Sequence, residues 1–326
     1  MTHMTYLEAS VVGLIQGVSE MFPVSSLGHN VLIPALVGGS WARDLNVAAP
    51  ESPYLAFIVG LHVATAIALL IYFWRDWIRI IGGFLTSVRY LQVRTADQKL
   101  AWMIILATIP VGLAGLLFEH EFRVIFGQAR YAAAFLIVNG VILIAGERFR
   151  RRSSVLADAD SAREREDAEL VAAGRHSTSP ARVARQREQA GAEVSDRRLV
   201  SIGYLRAVAI GSAQILALLA GISRDGVTMV AGMFGGLSRQ DAARFAFLLA
   251  TPVILAAGAL KVPDLTGRLG QGIHGQILVG SILSGVGAYL SVRFLVRYLR
   301  TRTLTPFGVY CLIAGAGSLA YLTVAR

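Results

Sequence analysis

The chain has 326 residues, of which 55% are hydrophobic and only 16% are charged, and its mean hydropathy is +0.57. A soluble domain of this size rarely carries so much apolar material, because water must wet its surface. The net charge of +10 does not indicate a nucleic-acid partner, since most arginines flank apolar segments, as in cytoplasmic loops that contact anionic lipid. The single cysteine, Cys311, excludes a disulfide framework and a cysteine metal site. A protein of the membrane bilayer is therefore predicted.

The first apolar segment, about residues 6–37, is interrupted near its middle by glycine, serine and a charged residue. Irregular backbone at membrane depth is tolerated only where protein or a water-filled cavity surrounds it. We therefore predict a re-entrant helix–loop–helix hairpin. Three segments long enough to cross a bilayer follow it, at about 54–74, 100–118 and 131–147. Together they make a first repeat over residues 1–147.

A charged insert follows, at about 148–200, which is rich in Arg, Glu, Asp and Ala and nearly lacks large apolar residues. Such a segment cannot bury a core, so a solvated helix or a disordered linker is expected, dispensable for folding. The positive-inside rule places this Arg-rich insert on the cytoplasmic side. Counting spans, both termini and the opening of the first hairpin then face outside.

The second half repeats the plan of the first, with a broken hairpin at 204–236 and spans at about 242–260, 276–296 and 306–324. A shift of 198 residues superposes Tyr6 on Tyr204, Gln16 on Gln214 and Ser25 on Ser223. Broken hairpins of inverted-topology repeats meet near the membrane midplane and form sites there. The predicted fold is an all-α integral membrane protein with six transmembrane helices and two re-entrant hairpins in an inverted-topology repeat, the second repeat covering residues 201–326.

The first hairpin carries ionisable and hydroxyl groups at the predicted depth. Gln16 and Glu20 share one helix face, because they are four residues apart, and Pro23 ends that helix. A carboxyl group such as Glu20 is costly inside a membrane and usually marks a function. Ser25 and Ser26 then begin a second helix, whose free N–H groups favour anions.

The break of the second hairpin, at residues 220–228, reads A-G-I-S-R-D-G-V-T. A guanidinium such as Arg224 needs an anionic partner at this depth, and its planar fork fits a phosphate. An ion pair with Glu20 or Asp225 is the alternative, and both can hold if phosphate displaces a resting partner. Gly221 and Gly226 permit a tight backbone beside a ligand.

Both hairpins resemble the signatures of undecaprenyl-diphosphatases, the bacitracin-resistance family. Residues 16–29, Q-G-V-S-E-M-F-P-V-S-S-L-G-H, are similar to (Glu/Gln)-x-x-x-Glu followed by Pro-Val-Ser-Ser-x-Gly-His, and the second hairpin is similar to Pro-Gly-x-Ser-Arg-Ser-Gly-x-Thr. Stretches at 61–65, 107–110 and 245–252 also resemble the family, so only the insert lies outside the likeness. Ala220 and Asp225 depart from the pattern, at a proline and a serine respectively.

The resemblance implies hydrolysis of undecaprenyl diphosphate to the monophosphate at the outer face of the bacterial plasma membrane. Ser26 is the candidate nucleophile with Ser25 second, and His29 the general base and then acid. Attack by His29 or water stays open. Glu20, with Gln16 or Asp225, is expected to hold a divalent cation, Mg²⁺ or Ca²⁺. The expected phosphate-binding residues are Arg224, Ser223, Gly221, Gly226 and Thr228.

Two other functions are compatible with the sequence: a carrier that moves a polyprenyl phosphate without hydrolysis, and a diverged sensor or scaffold. Asp225 bears on the choice between hydrolase and carrier, because a carboxylate beside Arg224 would repel phosphate and is less of a problem for a carrier. The sequence offers two accounts of it, as the N-cap of the helix that includes Thr228 or as a cation ligand beside Glu20. The oligomeric state is left open, with a homodimer as one expectation.

Overall fold

The computed structural model describes residues 4–46, 53–152, 191–192, 194–267 and 271–324, and within these ranges the regular secondary structure is helical. Its elements in chain order are α1 (Tyr6–Met21), α2 (Ser26–Val37), α3 (Gly39–Asp44), α4 (Pro53–Tyr72), α5 (Trp74–Tyr90), α6 (Ala96–Phe126), α7 (Ala129–Arg152), α8 (Val194–Ser201), α9 (Gly203–Ser212), the 3₁₀-helix η1 (Ala213–Leu218), α10 (Arg224–Phe234), α11 (Arg239–Thr266), α12 (His274–Thr301) and α13 (Thr305–Val324).

The predicted membrane spans correspond to six of these helices. In the described part of the chain, α6, α7, α11, α12 and α13 are each long and apolar enough to cross a bilayer. The first predicted span corresponds to α4, which meets the same criterion only together with α5, at a bend of 85°. The all-α membrane fold is thereby confirmed, and the chain is a multi-pass membrane protein.

The first hairpin is bounded by caps at both of its helices. Thr5 begins α1 with a reciprocal capping box, in which its hydroxyl accepts a hydrogen bond from the amide of Glu8 at 3.2 Å and its own amide donates to the Glu8 carboxylate at 2.7 Å. The chain leaves α1 at Met21, two residues before Pro23. Ser25 then caps α2 with a positive φ of 67°, which is uncommon outside glycine and asparagine and is frequent at functional sites.

The second hairpin breaks at the equivalent place by different means. The helix tightens into η1 and ends at Leu218, and Gly221 adopts a φ of 112° that a side chain would strain. Ser223 caps α10, its hydroxyl accepting a hydrogen bond from the amide of Gly226 at 3.1 Å. The two half-helices α2 and α10 therefore both begin at a serine cap.

Matched close packing supports the predicted repeat. Helix α1 packs against α12, and its counterpart α9 packs against α6. A Cβ on Gly13 would lie 2.8 Å from the Cα of Gly280, and one on the equivalent Gly211 would lie 2.7 Å from the carbonyl carbon of Ala107. Glycine at both positions lets the first helix of each hairpin approach its neighbour closely.

The end of the charged insert differs from the expectation of a solvated segment. Its residues 153–190 lie outside the described ranges, but α8 is helical and partly buried. Asp196 is 1% exposed and accepts hydrogen bonds from Arg79 at 2.7 Å and Arg244 at 2.6 Å. Ser195 donates to Asp241 at 2.7 Å, and Leu199 is fully buried. The packed part of the described chain therefore resumes at α8, within the predicted insert.

We expect two deletions to differ because of this boundary. A short Gly/Ser linker in place of residues 155–190 leaves the melting temperature in detergent unchanged, since the sequence there supplies no core. The same linker extended through residue 199 removes Asp196 from Arg79 and Arg244 and lowers the melting temperature, because unpairing buried charges costs about 3–5 kcal/mol. Equal melting temperatures for the two deletions would show that α8 contributes nothing to the fold.

Candidate active site

The two hairpins meet at their breaks, as the repeat predicted. The hydroxyl oxygen of Ser25 accepts hydrogen bonds from the amides of Gly28 and Gly221, each at 3.2 Å. A Cβ on Gly28 would lie 2.9 Å from the Cα of Gly221, so the two backbones touch. Ser25 therefore joins one hairpin to the other, and its oxygen is already occupied by two donors.

A third helix bridges the same two breaks through Asn139, on α7. Its side-chain amide donates to the carbonyl oxygen of Pro23 at 2.9 Å and accepts from the amide of Ser223 at 3.0 Å. Asn139 is fully buried, where unmet backbone groups would be costly. The sequence analysis missed this residue, although an asparagine within an apolar span was itself a signal.

The carboxylate of Glu20 is the centre of the polar cluster. One oxygen, Oε1, accepts from the Arg224 guanidinium at 2.5 Å. The other, Oε2, accepts from the Gln16 amide at 2.9 Å and from the hydroxyl of Ser26. The ring of His62, on α4, places its Nε2 atom 3.4 Å from the same Oε2. The structure thus brings together four predicted residues and adds His62, which the sequence analysis did not assign to the site.

Glu20, Ser26, His62 and Arg224 of this cluster line a cavity of about 180 Å³. Ser26, Leu27, Ser223 and Arg224 contribute to its wall, and these are the first residues of α2 and α10 or the cap before them. Helix N-termini carry partial positive charge and free N–H groups, so two of them at one cavity favour an anion. The remaining wall is largely apolar: Val111, Ala217, Leu218, Ile222 and Val253.

His29 is held away from this cluster. Its Nδ1 atom lies 2.7 Å from the carbonyl oxygen of Ser25, and its Nε2 atom lies 2.7 Å from the hydroxyl of Tyr310, on α13. The two rings also stack, with centroids 5.7 Å apart. Both ring nitrogens are therefore engaged, and the hydroxyl of Ser26 donates to Glu20 instead. The predicted role of His29 as general base does not fit this arrangement.

Three of the predicted phosphate-binding residues already use their hydrogen-bond donors within the two hairpins. The amide of Gly221 donates to Ser25, and that of Gly226 donates to Ser223. The hydroxyl of Thr228 donates to the carbonyl of Arg224 at 2.7 Å. Only Arg224 and Ser223 of the predicted set line the cavity, so the other three shape the loop.

Asp225 does not cap its helix, because Ser223 holds that position. It lies in the first turn of α10 and is 1% exposed. Within the described ranges its carboxylate oxygens accept no hydrogen bond, and Nε of Arg224 lies 3.7 Å from its Oδ1 atom. The capping account of Asp225 is therefore wrong, and the carboxylate is a buried neighbour of Arg224.

The predicted cation ligands do not form a ready metal site. Both oxygens of Glu20 already hold protein donors, and the side-chain oxygen of Gln16 accepts from Asn30 at 2.6 Å. Over the described ranges no three His, Cys, Asp or Glu side chains cluster as metal ligands. The residues present therefore fit an anion better than a resident cation.

Comparison with known proteins gives one consistent result. A family model described as bacitracin resistance protein BacA matches residues 9–317. An undecaprenyl-diphosphatase of Mycolicibacterium paratuberculosis is 58% identical over 322 residues, which cover 99% of each chain. One of Mycobacterium avium is 57% identical over 321 residues, covering 98% of each. Undecaprenyl-diphosphatase 2 of Frankia alni is 51% identical over 342 residues, covering 97% of each.

Proposed function

This chain belongs to the bacitracin resistance protein family, and we propose that it hydrolyses undecaprenyl diphosphate to undecaprenyl phosphate and inorganic phosphate. The relatives that match over 97–99% of each chain carry the corresponding enzyme name. The observation in the structure that supports this most is the contact of Ser26 with Glu20 beside Arg224. The hydroxyl of Ser26, a carboxylate that can act as its base and a cationic side chain suited to phosphate lie together where two helix N-termini meet.

Binding of the substrate follows from the lining of the cavity. Its terminal phosphate would displace Glu20 from Arg224 and pair with the guanidinium, whose planar fork suits two phosphate oxygens. Free amides at the start of α2 and α10 would hold further oxygens. The apolar wall and the exposed apolar faces of the spans are suited to the prenyl chain.

The proposed chemistry has two steps. In the first, Ser26 gives its proton to Glu20 as its oxygen bonds to the terminal phosphorus, and the bond from phosphorus to the bridging oxygen breaks. Undecaprenyl phosphate leaves, and the proton on Glu20 passes to it or to solvent. In the second, Glu20 takes a proton from water, which attacks the phosphoserine. The proton returns to the Ser26 oxygen as inorganic phosphate leaves.

We also propose that a divalent cation binds together with the substrate. Mg²⁺ usually keeps several waters and binds through one or two carboxylates together with substrate phosphates. We expect Mg²⁺, or Ca²⁺ in its place, to arrive on the diphosphate and offset its charge near Asp225. The carboxylates proposed to meet such a complex are Glu20, which lines the cavity, and Asp225, which lies beside Arg224.

The test is phosphate release by the purified protein from undecaprenyl diphosphate, with and without a chelator. We expect release in magnesium, less release after chelation, and none from Ser26→Ala. Wild-type protein that binds the lipid but releases no phosphate under any metal condition would refute hydrolysis. The carrier reading is not favoured, because it leaves the contact between Ser26 and Glu20 without a use. A homodimer stays a prediction.

The proposed orientation places the cavity towards the outer face of the bacterial membrane. It depends on the arginine-rich loops, which favour the cytoplasmic side. A cysteine in the insert, Ser177→Cys, should resist an impermeant thiol reagent in intact cells. A cysteine in the turn between α6 and α7, Gln128→Cys, should react, while buried Cys311 stays unlabelled. The reverse pattern of labelling would invert the topology.

A further inference from the structure

His62 lies between two groups that can only accept hydrogen bonds. Its Nδ1 atom is 2.9 Å from the carbonyl oxygen of Ile58, and its Nε2 atom is 3.4 Å from Oε2 of Glu20. A neutral imidazole carries one N–H, whereas the imidazolium carries two. Glu20 is a carboxylate here, since Arg224, Gln16 and Ser26 all donate to it. The geometry therefore suits a cationic His62 with a hydrogen on each nitrogen.

The distance between His62 and Glu20 is set by packing that involves a third helix. Ser284, on α12, donates its hydroxyl to the carbonyl of Leu61 at 3.3 Å, next to His62 on α4. Gly17, one turn before Glu20 on α1, packs against the same serine, since a Cβ on Gly17 would lie 2.9 Å from the Cα of Ser284. Helices α1 and α4 are thus fixed against one residue of α12.

His62 also lines the cavity that holds Ser26 and Arg224. Its side chain is 26% exposed, compared with 16% for Arg224 and 6% for Glu20. Glu20 therefore lies between two cationic side chains that contact different oxygens, His62 at Oε2 and Arg224 at Oε1. An anion that enters the cavity competes with Glu20 for both of them.

We propose that His62 is a phosphate-binding residue, which donates its Nε2–H to a non-bridging oxygen of the terminal phosphate opposite Arg224. This inference rests on the proposed phosphatase function. In the resting protein the donor lies against Glu20, and in the complex it moves to the phosphate without giving up its proton. The Oε2 atom of Glu20 then keeps Gln16 and Ser26 as its partners and accepts the Ser26 proton. Phosphate binding thus removes His62 from Oε2 of Glu20, the oxygen that accepts the proton of Ser26.

The test compares His62→Leu, which has no donor, with His62→Gln, which retains an amide N–H. The matched control is Thr65→Val, on the same helix, where the hydroxyl donates to the backbone carbonyl of His62. We expect His62→Leu to lower kcat/KM roughly 10²-fold, as for the loss of one donor to a transferring group. Its competitive inhibition by inorganic phosphate should weaken about tenfold or more. His62→Gln should retain kcat/KM within about tenfold of wild type, and Thr65→Val should match wild type.

A second measurement tests phosphate binding by His62 without depending on the proposed reaction. Inorganic phosphate that binds the folded protein raises the melting temperature, and we expect His62→Leu to lose most of that rise. Unchanged phosphate inhibition and an unchanged rise in folded His62→Leu would overturn the inference. If this variant does not fold, His62→Asn, whose amide is too short to reach, replaces it. A wild-type protein that releases no phosphate would refute the proposed function, while the phosphate-induced rise still decides the role of His62.

Discussion

Glu20→Gln is expected to lower kcat for phosphate release by roughly 10²–10⁴-fold, the usual contribution of a positioned general base. Glutamine keeps the size of the side chain but cannot accept the proton of Ser26. It also removes the negative charge that rests on Arg224 at 2.5 Å, which leaves the guanidinium free for phosphate. KM should therefore stay unchanged or fall, and kcat should account for the whole loss. Steady-state kinetics on undecaprenyl diphosphate measures both constants.

The matched control is Glu8→Gln, at the start of the same helix. Glu8 is buried and completes the capping box with Thr5, and glutamine can fill the same position of a capping box. Glu8→Gln therefore removes a buried carboxylate charge away from the cavity, and both its kcat and its melting temperature should stay near wild type. A Glu20→Gln enzyme with normal kcat would show that another group accepts the proton. A raised KM with normal kcat would make Glu20 a binding residue.

Arg224→Lys is expected to lower kcat/KM roughly 10²–10³-fold, the range found when one donor to a developing charge is lost. Lysine keeps the charge, but an ammonium cannot reproduce the planar fork of the guanidinium on two phosphate oxygens. Lysine at this position can still pair with Glu20, so the protein should stay folded. Kinetics and melting temperature should be measured on the same preparations.

Arg239→Lys serves as the control for this exchange. Arg239 binds Glu147 through its Nε atom at 3.0 Å from both carboxylate oxygens, in a buried pair away from the cavity. Its replacement should lower the melting temperature and leave kcat/KM near wild type. If Arg224→Lys instead behaved like Arg239→Lys, Arg224 would be a structural partner of Glu20.

The sequence was sufficient for features that depend on neighbours along the chain. Pro23 ends α1 and Ser25 begins α2, because caps and breaks act over a few residues. Gln16 and Glu20 share a helix face for the same reason. An ion pair of Arg224 with Glu20 or Asp225 could be predicted from the sequence, since a guanidinium at that depth requires an anion and few are available.

Contacts between distant helices were not accessible in this way. His62 and Asn139 reach the site from α4 and α7, and nothing in their local pattern shows which way they face. The resemblance to the family implied a catalytic role for His29, but Tyr310 and the carbonyl of Ser25 engage both of its nitrogens. Asp196 lay in a segment with no apolar core, and its arginine partners come from α5 and α11.

The most direct test of the account is to trap the reaction intermediate. Undecaprenyl diphosphate labelled in its terminal phosphate is mixed with excess enzyme, quenched within milliseconds, and the labelled peptide is mapped. The account predicts an acid-stable phosphoserine at Ser26 that forms and decays with phosphate release, and no label in Ser26→Ala. Label on Ser25, an acid-labile label on His29, or full phosphate release with no labelled protein would contradict it.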